Sequence, residues 1–332
     1  MPLNITRRRF VKYSSAFALG VLLIIGCTQS PSSHNGPFDE NSTGEEVAKG
    51  LDLSGKTILI TGVNSGLGYE TMRVLAMRGA HIIGLARNME KAKKACDSVE
   101  GKTTPVACEL TDFNSVVTAT KTIKELNKPI DVLICNAGIM ELPKLEQVYG
   151  IEKQFVVNYL GHFILVNRLL DQVKAAAQGR IVVLSSGRYK SAPPEGIQFD
   201  NLSGEKGYDP LAAYGQSKLA IALFAQELSR RLEGTRVTSN SVLPGVIMTN
   251  LGRHLSSWKI LLSKLIGWTF MRSVEEGVAT TCYVATNPEI AKISGQMFFN
   301  CKPITPEGNH MSDRALAAKL WNVSVELTKD YL

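Results

Sequence analysis

The stretch "AAYGQSKLA" sets Tyr214 and Lys218 four residues apart. On a helix this spacing brings both side chains to one face. A phenol with its ordinary pKa of about 10 is a poor proton donor or acceptor at neutral pH. A nearby ammonium favours the phenolate and draws that pKa toward the working range. The pair therefore points to general acid–base chemistry, although tyrosine and lysine at this spacing also occur by chance. Ser186 closes the apolar run of "RIVVLSSGR". Its hydroxyl could hold a carbonyl oxygen beside the phenol.

A second group of residues could hold a ligand. "TGVNSGLGYE" crowds Gly62, Gly66 and Gly68 between the apolar run "KTILI" and the helical run "YETMRVLAMRG". Glycine adopts positive φ at little cost and lets backbone approach a ligand closely. A helix N-terminus offers free N–H groups and partial positive charge to a pyrophosphate. The turn reads as a phosphate cradle made by Gly62, Asn64, Ser65, Gly66, Leu67 and Gly68. A bare tight turn is the other reading, and the βαβ context decides between them.

That context is present. Apolar β-type runs occur at 57–61, 81–85, 104–108, 131–135, 180–184, 236–243 and 295–299. Helical patterns fill the intervals near 66–78, 89–99, 112–126, 152–174, 212–233 and 274–286, and a last one covers 312–328. Short buried strands alternating with helices predict one doubly wound, Rossmann-type α/β domain. Its sheet is mostly parallel and seven-stranded, with helices on both faces. The second strand runs into "IIGLARN" with Ala86, not a carboxylate, before Arg87. In such folds an acid near this point takes the ribose 2′-hydroxyl, whereas an arginine accommodates a 2′-phosphate. Arg87, helped by Asn88 and Lys91, points to NADP(H). Otherwise Arg87 is a solvated surface cation.

The formal net charge of +7 comes largely from Arg7, Arg8, Arg9 and Lys12, in a leader of 27 residues without an acid. No basic stripe with interleaved aromatics follows, which argues against nucleic acid as a partner. The six cysteines, 27, 96, 108, 135, 282 and 301, show no CxxC pair and no metal spacing. His81 and His162 stand in no metal cluster either and read as core or surface residues. "TRRRFVKYSSAFALGVLLIIGC" has a basic start, a short apolar run and a small-residue cysteine box. It resembles a twin-arginine signal peptide over 1–27 with Cys27 as a lipidated residue. The protein is then expected exported and lipid-anchored, on the extracytoplasmic face of a bacterial membrane. An uncleaved N-terminal anchor is the alternative. Residues 28–50, rich in Ser, Pro, Asn and Gly, read as a flexible tether, and 51–332 as the catalytic domain.

The motifs "TGVNSGLG", "NAG" at 136–138, "VNYLGHF" at 157–163, Ser186, "YGQSK" and "LPGVIMTN" at 243–250 follow one another along the chain. Together they resemble the short-chain dehydrogenase/reductase family from about Gly55 to the end. "NLSGEKGYDPLAAYGQSKLAIALFAQELSRRL" and "AAKLWNVSVEL" are similar to its retinol dehydrogenase-like branch. The resemblance implies that Tyr214 is the general acid in reduction and the base in oxidation. It implies that Lys218 lowers the Tyr214 pKa and binds the nicotinamide ribose, and that Ser186, not Ser185, orients the carbonyl. Asn158 would hold a water that relays protons to Lys218. Asn136, with Ala137 and Gly138, would lie near the adenosine ribose, and Glu109 and Leu110 near the adenine. Glu109 replaces the family's usual aspartate. Pro244, Gly245, Val246 and Thr249 would meet the nicotinamide.

The expected activity is hydride exchange between NADP(H) and a lipophilic, retinal-like or apocarotenal-like carbonyl or alcohol. Reduction of a ring double bond, as in protochlorophyllide reductases, is one alternative. A non-catalytic dinucleotide-binding protein is another, and the intact Ser, Tyr, Lys and Asn set argues against it. A homo-oligomer stays open. In "LSSWKILLSKLIGWTFM", 255–271, Trp258, Leu261, Leu262, Leu265 and Ile266 share a helical stripe. That stripe either packs on the core as a substrate lid or also dips into a bilayer interface.

Overall fold

The structure, a computed structural model, describes residues 36–245 and 272–332. Cys27, Val246, Thr249 and the 255–271 stripe lie outside the described residues. The strands are β1 (Thr57–Thr61), β2 (His81–Ala86), β3 (Thr103–Ala107), β4 (Val132–Cys135), β5 (Gln147–Val148), β6 (Ile151–Glu152), β7 (Gly179–Leu184), β8 (Val237–Leu243), β9 (Met297–Phe299) and β10 (Lys302–Ile304). The helices are α1 (Gly44–Val47), α2 (Gly66–Met77), α3 (Met89–Asp97), α4 (Phe113–Glu125), α5 (Lys153–Phe155), α6 (Gly161–Lys174), α7 (Pro210–Arg231), α8 (Val274–Gly277), α9 (Ala279–Thr286) and α10 (Arg314–Thr328).

The main sheet runs β10-β9-β8-β7-β4-β1-β2-β3. Every neighbouring pair is parallel except β9 with β10. Alternate residues of each strand serve opposite layers. Leu59 and Leu133 pack with α4, α6 and α7 residues such as Val116, Phe163 and Leu223. Ile58, Ile60 and Ile134 pack with Met72 and Leu75 of α2 and Cys282 of α9. Helices therefore cover both faces, and the central strands β1, β2, β4, β7 and β8 are buried along their length. The chain winds outward from β1 to β3, then returns to place β4 on the other side of β1. That reversal opens a crevice at the carboxyl ends of β1 and β4, the usual ligand position in such sheets.

Three expectations change. The sheet has eight strands, not seven. Asn300 and Cys301 turn the chain back at φ 52° and 59°, a hairpin geometry usually marked by Asn-Gly. Cys301 in the glycine place and Pro303 in the edge strand hid β10 from a pattern reading. The helix expected over 152–174 is interrupted by a π turn at Val156–Leu160, where the Gly161 N–H bonds the Val156 carbonyl five residues back. The tether expected to reach Gly50 instead joins the domain from Gly36 onward. Phe38 meets Tyr283 edge-on with ring centroids 6.0 Å apart. Thr43 and Glu46 form a capping box on α1, and Val47 and Ala48 are buried in the core beside α9. Polar composition concealed Phe38, Val47 and Ala48, which pack the segment against the core.

Candidate active site

Thr61 ends β1, and Gly62 (φ 75°) and Gly66 (φ 59°) carry the chain into α2 through backbone angles that suit glycine. Ser65 is the N-cap residue of α2, yet its side chain makes no capping hydrogen bond. The first N–H groups of α2 therefore point out uncapped, ready for an anion. Gly68 lets α2 sit against the crevice floor. A Cβ there would run into Asn136 Nδ2 and the Gly62 carbonyl oxygen. A cleft of about 500 Å³ opens over this turn. Gly62, Asn64, Ser65, Gly66, Leu67 and Gly68 form one wall. Asn136, Ala137, Gly138 and Ile139 form another.

Arg87, Glu109 and Leu110 line the far end of the cleft. Arg87 is exposed there. The Asn88 side chain is occupied as the N-cap of α3, accepting from Lys91 N at 2.9 Å. The carboxylate of Glu109 turns back on its own loop, accepting from Thr111 N at 3.0 Å. Pro244 and Gly245 end β8 and do not line the cleft.

The floor is a network of buried polar groups. Thr61 Oγ1 accepts from Asn136 N and Ala137 N, each at 2.9 Å, and lies 2.9 Å from His162 Nε2. Asn136 Nδ2 donates to the Thr61 carbonyl at 2.7 Å, lacing β4 to β1. The Asn158 side chain sits in the π turn with both its amide protons used. Its Oδ1 accepts from Ile139 N at 2.8 Å, and its Nδ2 donates to Ile139 O and Ser217 Oγ at 3.0 and 2.9 Å. Oδ1 keeps a second lone pair, so either that oxygen or the backbone carbonyl could hold a relay water. Thr61 and Ser217 went unmarked in the sequence. A threonine closing an otherwise apolar strand was the available signal for Thr61.

Tyr214 and Lys218 lie one turn apart on α7, both buried. Lys218 Nζ donates to the Leu184 carbonyl at 2.9 Å and stands 5.8 Å from the centroid of the Tyr214 ring. Asn158 Oδ1 and Lys218 Nζ bound the space over Gly138, which joins this cluster to the cleft. Ser186 lies beside the Tyr214 phenol, close enough to favour its ionised form, and caps the turn after β7, accepting from Arg188 N at 3.2 Å. Ser185 is buried and donates to the Lys218 carbonyl at 2.8 Å, a structural bond. Gly215 permits the approach of α7 to this turn, since a Cβ would meet Ala192 N at 2.6 Å. Burial pushes the Tyr214 phenol up to about 12, against the opposite pull of Ser186. Burial also brings Lys218 down to about 8. In the protein alone burial sets both shifts, penalising both charged forms, and the expected lowering of the phenol by Lys218 does not emerge. At neutral pH the phenol keeps its proton, the form that can donate.

The family model for short chain dehydrogenases matches residues 56–260. The chain belongs to the short-chain dehydrogenase family. It is 40% identical over 302 residues to short-chain dehydrogenase TIC 32 B, chloroplastic, of Brassica napus, covering 87% of this chain and 94% of that one. It is 38% identical over 294 residues to retinol dehydrogenase 14 of Homo sapiens, covering 82% and 86%. A crystal structure of an uncharacterised protein from Mycobacterium Paratuberculosis superposes with a TM-score of 0.68 at 32% identity, covering 85% of this chain and 97% of that one. Proteins of this family are oxidoreductases that bind nicotinamide dinucleotides, and the uncapped α2 terminus over a glycine-lined cleft fits such a ligand.

Gly68→Ala should destabilise the fold by about 1–3 kcal/mol through overpacking. It should also weaken nicotinamide dinucleotide binding at least ~10-fold, or ~1.4 kcal/mol. Urea unfolding and fluorescence titration measure the two. An unchanged unfolding midpoint would show that α2 does not press on Asn136.

Proposed function

We propose that the protein interconverts a lipophilic aldehyde or ketone and its alcohol, using NADP(H). The observation that carries this reading is the buried Tyr214 phenol, beside Ser186 and backed by Lys218, at the side of a dinucleotide-sized cleft. When bound, the reduced nicotinamide supplies a hydride to the carbonyl carbon. Ser186 holds the carbonyl oxygen, and the Tyr214 phenol gives that oxygen its proton. Lys218, charged below about pH 8, steadies the phenolate that remains. In oxidation the same groups run in reverse, with Tyr214 taking the hydroxyl proton.

NADP(H) is favoured over NAD(H) because the cleft ends on Ala86 and Arg87, a cation without a carboxylate at the position after β2. The likeness to retinol dehydrogenase 14 supports a long apolar alcohol or aldehyde as the substrate class. The leader supports export and lipid attachment at Cys27, on the extracytoplasmic face of a membrane. The 255–271 stripe would then face substrate dissolved in that membrane.

Following NADPH oxidation against a panel of aliphatic and polyene aldehydes and ketones tests the activity, and no turnover of any of them would refute it. Tyr214→Phe keeps the ring and removes the acid, so turnover should fall roughly 10²–10⁴-fold while NADPH binding survives. Near-normal turnover would exclude Tyr214 as the acid. Arg87→Ala should cost NADPH affinity roughly ten- to hundredfold and leave NADH nearly unchanged, since only NADPH carries the 2′-phosphate. Equal losses would leave Arg87 a support of the fold. Cys27→Ser should abolish membrane fractionation of the mature protein, and a wild-type protein found unprocessed in the cytosol would overturn the leader reading.

A further inference from the structure

His162 joins the two halves of the site, and its hydrogen bonds fix its tautomer. A hydroxyl offers one proton and two lone pairs. Thr61 Oγ1 spends both lone pairs on Asn136 N and Ala137 N. Its proton therefore goes to His162 Nε2, 2.9 Å away, so Nε2 carries no hydrogen. The neutral ring must then carry its proton on Nδ1, which donates to the Asn158 carbonyl oxygen at 3.2 Å. The ring is 1% exposed, so water does not compete for either nitrogen. A proton on Nε2 would face an oxygen with no lone pair to spare.

We propose that His162, as the neutral Nδ1–H tautomer, is a positioning residue that couples the cofactor-binding turn to the proton-relay end of the site. It does so by holding the Thr61 hydroxyl with one nitrogen and the Asn158 carbonyl with the other. This rests on the oxidoreductase reading above, in which the Asn158 carbonyl beside His162 is the group that would hold a relay water. The π turn at 156–160 sets the carbonyl's place along the helix, and His162, four residues on, sets its direction. On the other side, the Thr61 hydroxyl can hold the 136–137 backbone only while its proton has an acceptor. Burial brings the imidazole down to about 4, and the Lys218 ammonium pushes the same way. The tautomer thus persists across the working range. The groups bonded to the ring from β1 and the π turn, Thr61 and Asn158, are uncharged.

Nitrogen-15 histidine NMR of the wild-type protein, assigned by difference with His162→Asn, tests the tautomer without any turnover. The expected result is one ring with Nδ1–H and Nε2 unprotonated, unchanged from pH 5 to 8. An Nε2–H tautomer, or titration inside that range, would overturn the proposal. Kinetics then separate positioning from packing. His162→Asn can still donate to the Asn158 carbonyl but does not reach Thr61, whereas His162→Leu does neither. We expect kcat of His162→Leu to fall ~10-fold, the worth of about 1.4 kcal/mol. The carbonyl KM should stay constant. His162→Asn should recover kcat to within ~3-fold, a residue of ~0.7 kcal/mol, yet bind NADPH as weakly as His162→Leu. Equal kcat in the two variants, or full NADPH affinity in both, refutes the coupling. If the wild-type protein turns over no carbonyl, the oxidoreductase reading fails, while the NMR result and the NADPH affinities still judge His162.

Discussion

The site hangs on the hydroxyl of Thr61. β1 and β4 are neighbours in the sheet, but beyond Thr61 and Cys135 their ladder stops and the crevice begins. Backbone N–H groups released at that point would be buried without partners, at a cost of about 1–3 kcal/mol each. Thr61 Oγ1 takes two of them, from Asn136 and Ala137, and the Asn136 side chain returns a bond to the Thr61 carbonyl. This lacing sets the width of the crevice. It also places Asn136 under Gly68, so the angle at which α2 leaves the sheet follows from it. A valine of the same shape at position 61 would fill the space and leave both N–H groups orphaned.

Desolvation governs the chemistry in the same way. The Tyr214 phenol and the Lys218 ammonium are buried side by side, and each is shifted toward its neutral form. The arrangement suits a proton donor, because an acid that loses its proton to water before substrate arrives is wasted. Lys218 does not escape by pairing with a carboxylate. It donates to the Leu184 carbonyl, which keeps the ammonium at the end of β7 and directed beneath the phenol.

Much of the fold could be read from pattern. The six long parallel strands lie within a residue or two of their expected ends. In β1, β2, β4 and β7 burial on both faces leaves mostly apolar runs, whereas β8 buries Thr238, Ser239, Asn240 and Ser241. Tyr214, Lys218, Ser186 and the glycine turn came from spacing and residue type, and the structure gathers them at one end of the sheet. What escaped was set by contacts between segments distant in sequence. Gly215 matters only because α7 presses on Ala192. Ser217 matters only because the π turn brings Asn158 to it. His162 reads locally as an ordinary helical residue, and its importance lies 101 positions away, at Thr61. α1 was lost because propensity and composition favoured a tether, whereas two small apolar side chains and a capping box decided otherwise.

The docking of residues 36–50 changes the length of the leash. A tether from 28 to 50 could reach about 75–80 Å when fully extended, more than the width of the domain itself. With the chain clamped from Gly36, the proposed attachment at Cys27 would leave eight residues between anchor and domain, which span at most roughly 26–29 Å. Under the proposed attachment the enzyme would not roam. It would work within a shell about one domain deep against the anchoring surface, and the local concentration of anything dissolved in that surface would become its effective substrate supply.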